Sequence, residues 1–218
     1  FSLPRLVLIN KLDRENADFT GTIAQLQEHF GLNVVPVQMP IGKEDDFKGV
    51  IDLIEEKALL FSDGEKTVEE QEIPAELREQ AEAMREKLIE AVAETDDDLL
   101  LKYLEGEMLE VEEIKQSLRR GILERKITPV LCGSATRNFG SGPLLDFMKS
   151  FLPSPLERGE LSGILPESGE KITRLPSTEE PFTALVYKTL ADPYVGRINY
   201  FRVYSGVLSP DSQVYNVN

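Results

Sequence analysis

Apolar residues recur along the chain in two rhythms, and the rhythm changes several times. Leu6-Val7-Leu8-Ile9 is a continuous apolar run, as a strand covered on both faces requires. Between Phe19 and Phe30, Ile23, Leu26 and Phe30 fall on one helical face, and Gly31 is placed to cap that helix. Strand, loop and helix in this order open an α/β unit. Val34 to Gln38 and Gly49 to Phe61 then read as strands, the second interrupted near Glu55-Glu56, with Asp63-Gly64 as a hairpin turn.

Helical spacing takes over after Pro74, which suits a first helical position. Leu77, Ala81, Met84, Leu88 and Val92 make an apolar stripe. Thr95 with Asp98 three residues on resembles a capping box, so a second helix is expected from there to about Glu105; Ile114, Leu118 and Ile122 mark a third. Ile127 to Leu131 returns to a buried strand, and Pro143 to Phe151 is a short helix closed by Pro153-Ser154-Pro155. From Leu156 to Glu180 the composition shifts to Gly, Pro, Ser and Glu, which reads as a linker. Phe182 to Thr189 and Arg197 to Tyr204 are rich in β-branched and aromatic residues and predict strands, with turns at Asp192-Pro193 and Ser205-Gly206. Two or three strands cannot close a barrel, so this last module is expected to be truncated. A buried strand within five residues of a first residue that is not Met likewise predicts an internal piece of a longer protein.

Charge changes this picture in one place. The 218 residues carry 24 Lys and Arg against 39 Asp and Glu, a net of −15, which excludes a surface built mainly to neutralise a nucleic-acid backbone or an anionic membrane. Residues 44–113 hold 25 of the acids and only 7 of the bases, so this one segment carries the whole excess. Single Cys132 and single His29 allow neither an internal disulfide nor a zinc cluster, and a reducing, cytoplasmic setting is expected. No apolar run approaches the roughly 20 residues that span a bilayer, so no membrane partner is expected.

Candidate chemistry lies at the ends of the two buried strands. Asn10-Lys11-Leu12-Asp13 follows the first and Gly133-Ser134-Ala135 follows the later one, and open α/β sheets bind ligands outside the carboxyl ends of their strands. The two acceptor oxygens of Asp13 match the adjacent N1–H and exocyclic amine of guanine, whereas adenine presents an acceptor at N1. The backbone N–H of Ala135 is a donor for guanine O6, the methylene stem of Lys11 can cover the base plane, and Asn10 can tie the two loops together. Buried polar readout of this kind discriminates by a factor of roughly 10⁴ to 10⁵. In the acidic segment, Glu90 and Glu94 stand at i and i+4 opposite the Met84 and Leu88 stripe, with Asp97 in the next turn. Like charges so placed repel, a cost that a basic partner relieves. A solvated helix face is the plainer alternative.

V-L-I-N-K-L-D-R-E-N-A-D-F, P-I-G-K-E-D-D-F-K-G-V-I-D-L-I, L-C-G-S-A-T-R-N-F-G and F-L-P-S-P resemble the elongation factor G family of bacterial translational GTPases, along essentially the whole chain. The resemblance implies an α/β fold: the C-terminal part of a P-loop GTPase G domain with an inserted α+β subdomain, followed by the first strands of a β-barrel domain. The expected divisions are 1–43 and 127–155 for the G domain, 44–126 for the insert, 156–180 for a linker and 181–218 for the barrel. The resemblance also implies GTP and GDP as ligands of Asn10, Lys11, Asp13, Ser134 and Ala135. It implies the ribosome as partner, with the stalk protein meeting the acidic insert at Glu90, Glu94 and Asp97, and ribosomal RNA in contact with the whole protein. The stretch from Asp13 to Ser134 spans 121 residues where a plain βαβ unit needs about 30, in keeping with an insertion. Asn16, where the family usually has Gly, and Thr136-Arg137, in place of an aromatic-Lys pair, suggest a divergent paralogue. A sibling ribosomal protection protein, release-factor GTPase or ribosome-recycling GTPase, or a non-enzymatic acidic adaptor, are the alternatives. The sequence contains no G-x-x-x-x-G-K-[ST], so Mg²⁺ and phosphate chemistry are expected to lie upstream, and the 218 residues alone are expected not to hydrolyse GTP.

Overall fold

A computed structural model describes residues 3–30, 33–62, 68–165 and 168–217, so the expected Gly31 cap and Asp63-Gly64 turn lie outside the described residues. The chain divides into two compact units, Phe1–Leu152 and Pro153–Asn218. At the centre of the first lies a parallel sheet of three strands, β1 (Val7–Ile9), β2 (Val34–Pro36) and β7 (Thr128–Cys132), in the order β1-β7-β2. Val7 pairs with Val130 and Ile9 with Cys132, while Val34 pairs with Thr128 on the other side. Every residue of β7 is buried, as expected of a central strand.

Strand alternation sends neighbouring side chains into different cores. Ile9, Val34, Val130 and Cys132 join Phe19 and Ile23 of α1 (Phe19–Phe30) on one face. Val35 and Leu131 join Phe147 and Phe151 of α5 (Ser141–Phe151) on the other, the two rings stacked at 4.3 Å. Phe30, expected on the apolar face of α1, is 66% exposed. The face is instead anchored two and three turns earlier, by Ile23 and Phe19, and Asp18 accepts the Gly21 N–H at 2.9 Å at the helix start.

Between β2 and β7 the chain builds a second layer. Gln38 to Ile41 forms β3, followed by β4 (Gly49–Asp52), β5 (Lys57–Phe61) and β6 (Val68–Gln71), an antiparallel sheet in chain order. The run expected as one strand from Val34 to Gln38 therefore changes sheet at Val37. Its N–H donates to Val130 of the parallel sheet at 3.0 Å, and its carbonyl accepts from Leu53, just beyond β4, at 3.1 Å. Three helices follow, α2 (Ala75–Ala93), α3 (Asp97–Leu104) and α4 (Val111–Leu123). Leu88 and Val92 of α2 and Ile114, Leu118 and Ile122 of α4 are fully buried, in one core with Val37, Ile51 and Phe151.

The α3 cap differs from expectation. Asp96, not Thr95, accepts from the N–H groups of Asp98 and Leu99, both at 3.1 Å. The Thr95 hydroxyl instead donates to Val92 at 2.7 Å and lies 2.9 Å from Ser117 Oγ.

In the second unit, residues 161–174 of the expected linker contain a hairpin, β8 (Leu161–Ile164) with β9 (Lys171–Arg174). The expected ribbon is present as β10 (Thr183–Asp192) and β11 (Gly196–Ser205), turned where Asp192 accepts from Tyr194 and Val195. Among the described residues no helix is long and apolar enough to cross a membrane.

Candidate functional site

The loops after β1 and β7 lie side by side because their strands are paired neighbours. Pairing continues past the strands: Gly133 N–H donates to Ile9 at 3.0 Å and Leu12 N–H to Gly133 at 3.3 Å. Leu12 is buried, so it pins the first loop while Asn10 and Lys11 stay exposed. Asn10 Oδ1 accepts two backbone N–H groups, that of Lys11 at 2.8 Å and that of Ala135 at 2.9 Å. The second bond joins residues 125 positions apart and ties one loop to the other. Lys11 itself has φ 66°, a conformation that its own N–H bond to Asn10 supports.

Asp13 is half-buried beside the fully buried Ser134. Its Oδ1 is buried and accepts no hydrogen bond from the described residues. The Ser134 hydroxyl holds its carboxyl below the usual carboxylate range, against the opposing effect of burial; its own N–H, Arg14 and Arg137 add to the lowering. At neutral pH Asp13 is therefore an ionised, acceptor-only group.

Close backbone approach shapes the second loop. Ser134 and Phe139 exchange both N–H bonds at 2.9 Å, closing the loop on itself. A Cβ on Gly133 would stand 2.5 Å from the Phe139 carbonyl oxygen, and Gly140, at φ 85°, would bring one to 2.8 Å from that of Cys132. Glycine is the residue both positions accept. Cys132 is buried in the strand below, where burial pushes its thiol far up, so it is an inert core residue.

Supporting contacts that the sequence did not reveal come from the segment between β3 and β4. Glu44 N–H donates to Leu12 at 2.9 Å, and Glu44 Oε1 accepts the Asn16 N–H at 2.9 Å. Asn16 has φ 62°, which accounts for glycine or asparagine at this position. Arg137 donates to the Phe47 carbonyl at 3.1 Å and lies 4.2 Å above the Phe139 ring, while Thr136 Oγ1 is 3.2 Å from Ser134 Oγ. The backbone bonds carry no side-chain signature; the unusual Thr136-Arg137 pair was the available clue.

Glu90, Glu94 and Asp97 are all exposed: Glu90 in the last turn of α2, Glu94 capping its carboxyl end, Asp97 opening α3. The last turn of α2 has no basic residue to offset acids at the negative end of the helix dipole. A groove of about 670 Å³ lies apart from both loops, between β5, α4 and α5, lined by Leu59, Lys115 and Phe147 among others.

A parallel sheet with its strand-end loops tied by the Asn10 carboxamide is an open α/β arrangement, whose ligand crevice lies outside the carboxyl ends of the strands. Residues 1–154 match the family model described as the elongation factor Tu GTP binding domain, and the chain belongs to that translational GTPase family. A crystal structure of a protein from Thermus thermophilus is similar over 97% of this chain, at 31% identity and a TM-score of 0.74. The match covers 29% of the length of that protein.

Proposed function

We propose that this chain is the guanine-reading part of a cytoplasmic, ribosome-associated GTPase of the elongation factor G type, which binds GTP and GDP and promotes translocation. The observation that carries the reading is the Asn10 bridge to Ala135, which holds both loops against one position while Asp13 keeps a buried acceptor without a donor. In this assignment the Asp13 carboxylate accepts from N1–H and the C2 amine. The Lys11 stem covers the base plane, and Ser134 fixes the Asp13 carboxylate. The Ala135 N–H, engaged by Asn10 here, is shared with guanine O6. The residues present fit a guanine base. Phosphate and Mg²⁺ chemistry are assigned to a glycine-rich loop outside these 218 residues, so the isolated chain should bind nucleotide weakly and not turn it over. The acidic face of Glu90, Glu94 and Asp97 is assigned to the basic ribosomal stalk protein, with ribosomal RNA contacted by the whole factor.

A sibling role within ribosome-associated GTPases, such as recycling, is the second reading. Asn16 and the Arg137–Phe47 bond favour it, because they build the same loops with residues the elongation factor G pattern does not use.

Asp13→Asn tests the base assignment in the full-length protein. Exchanging one acceptor for a donor should shift preference from GTP toward xanthosine triphosphate, whose C2 carries a carbonyl. Competition binding that leaves the wild-type preference for GTP intact would show that Asp13 does not read the base.

A further inference from the structure

Helix α3 is apolar on two sides. Leu99 is buried, and Leu100 and Tyr103 pack against the core shared with α2 and α4. The other side carries Asp97, Leu101 and Leu104 at spacings of four and three, and both leucines face solvent, 59% and 71% exposed. Past the helix end, Gly106 at φ 78° turns the chain through a cap in which Glu107 N–H donates to Lys102 at 3.0 Å and Gly106 N–H to Tyr103 at 3.1 Å. The buried Leu109 then anchors the chain beyond, leaving Met108 91% exposed. Scattered surface leucines are ordinary, but here three large exposed apolar side chains fall within eight residues, two of them a helical turn apart on α3.

Charge around this patch selects its occupant. Asp97, Asp98, Glu105, Glu107 and Glu110 are exposed on α3 and the turn after it. The nearby cations are engaged by carboxylates, Lys102 by Glu113 and Arg120 by Asp96 at 2.6 Å. An apolar centre within an acidic rim repels nucleic acid and anionic lipid alike, and is complementary to a protein surface whose apolar patch is rimmed by Lys and Arg. Asp97 opens the helix that carries this centre and is one of the three carboxylates of the proposed docking face.

We infer that Leu101, Leu104 and Met108 are the apolar anchor of a docking face for a basic protein of the ribosome, with the carboxylates of α2 and α3 as its rim. The inference rests on the proposed ribosomal docking and adds to it a division of labour: the carboxylates govern encounter and the apolar anchor governs residence.

Stopped-flow binding of the full-length protein to ribosomes at low and high salt separates the two roles. Exchange of Leu101, Leu104 and Met108 together for Gln should leave the association rate near wild type and raise the dissociation rate about tenfold, equivalent to about 1.4 kcal/mol, at both salt concentrations. Met108→Gln alone should act in the same direction by a smaller factor, and its single, fully solvated position keeps the test valid if the triple variant misfolds. Lys at Glu90, Glu94 and Asp97 should slow association at low salt and flatten its salt dependence. If the charge variant acts as expected and the Gln variants dissociate like wild type, the anchor is overturned and the docking reading stands. If the Gln variants dissociate faster and the charge variant behaves like wild type, the anchor stands without the electrostatic reading. Self-association in sedimentation that the Gln variants abolish would assign the patch to a second copy and overturn the inference. So would a structure of the full-length protein in which its own domains cover the Leu101, Leu104 and Met108 side chains.

Discussion

Asn10→Ala removes a side-chain oxygen that bridges the two strand-end loops. Its Oδ1 receives the Lys11 N–H at 2.8 Å and the Ala135 N–H at 2.9 Å. A net hydrogen bond contributes about 0.5–1.5 kcal/mol. Asn10, Lys11 and Ala135 are all exposed, so the released N–H groups find water, and the expected loss of stability is about 1–2 kcal/mol. The loop fold should survive, because Ser134 and Phe139 still exchange two bonds and Gly133 N–H still reaches Ile9. The change should therefore appear first at one amide. Exchange of the Ala135 N–H, followed by NMR, should accelerate by about an order of magnitude, the factor that corresponds to about 1.4 kcal/mol. Asn10→Asp retains the acceptor and should restore protection. A folded Asn10→Ala protein whose Ala135 amide exchanges at the wild-type rate would refute the bridge.

Asp96→Ala should cost about 1–2 kcal/mol in urea titrations, since the carboxylate caps Asp98 and Leu99 and pairs with Arg120. The Leu99 N–H, opposed by burial and reinforced by Arg120, holds the Asp96 pKa low. Its stabilisation is therefore full above the unfolded carboxylate value, is lost as pH falls through the folded one, and should be missing from acid melts of the variant. Asp52 has the opposite sign: burial raises its carboxyl, so its contribution is present below the unfolded value and lost as pH rises through the folded one. Asp52→Asn keeps the Oδ1 bonds from Ile54 and Glu55 and should leave stability at neutral pH unchanged or higher, with a flatter pH profile in thermal melts.

The stripes of α2 and α4 were legible because burial at helical spacing leaves a periodic trace, and Ala81, Leu88, Val92, Ile114, Leu118 and Ile122 are all in the core. The Asn10 tie was legible from residue chemistry at two strand ends. What stayed hidden lacks such a trace. The change of sheet at Val37 occurs inside an uninterrupted apolar run, where alternation cannot register a new partner. β6 reads Val-Glu-Glu-Gln, a wholly exposed edge strand held by backbone pairing to β5. Phe30 follows the helical period and still lies exposed at a helix end. Thr95 and Asp96 are both capping residue types, and it is the extended φ of −145° at Asp96, with its bonds from Asp98 and Leu99, that marks the one that caps.

The segment between β2 and β7 is not hung from the parallel sheet by two flexible strings. Val37 is bonded to both sheets, Glu44 holds the backbone at Leu12 and Asn16, and Arg137 holds that at Phe47. In mechanical terms these are gear teeth rather than hinges. A rotation of the antiparallel sheet against the parallel one would have to break these bonds or carry with it the loop that holds Asp13.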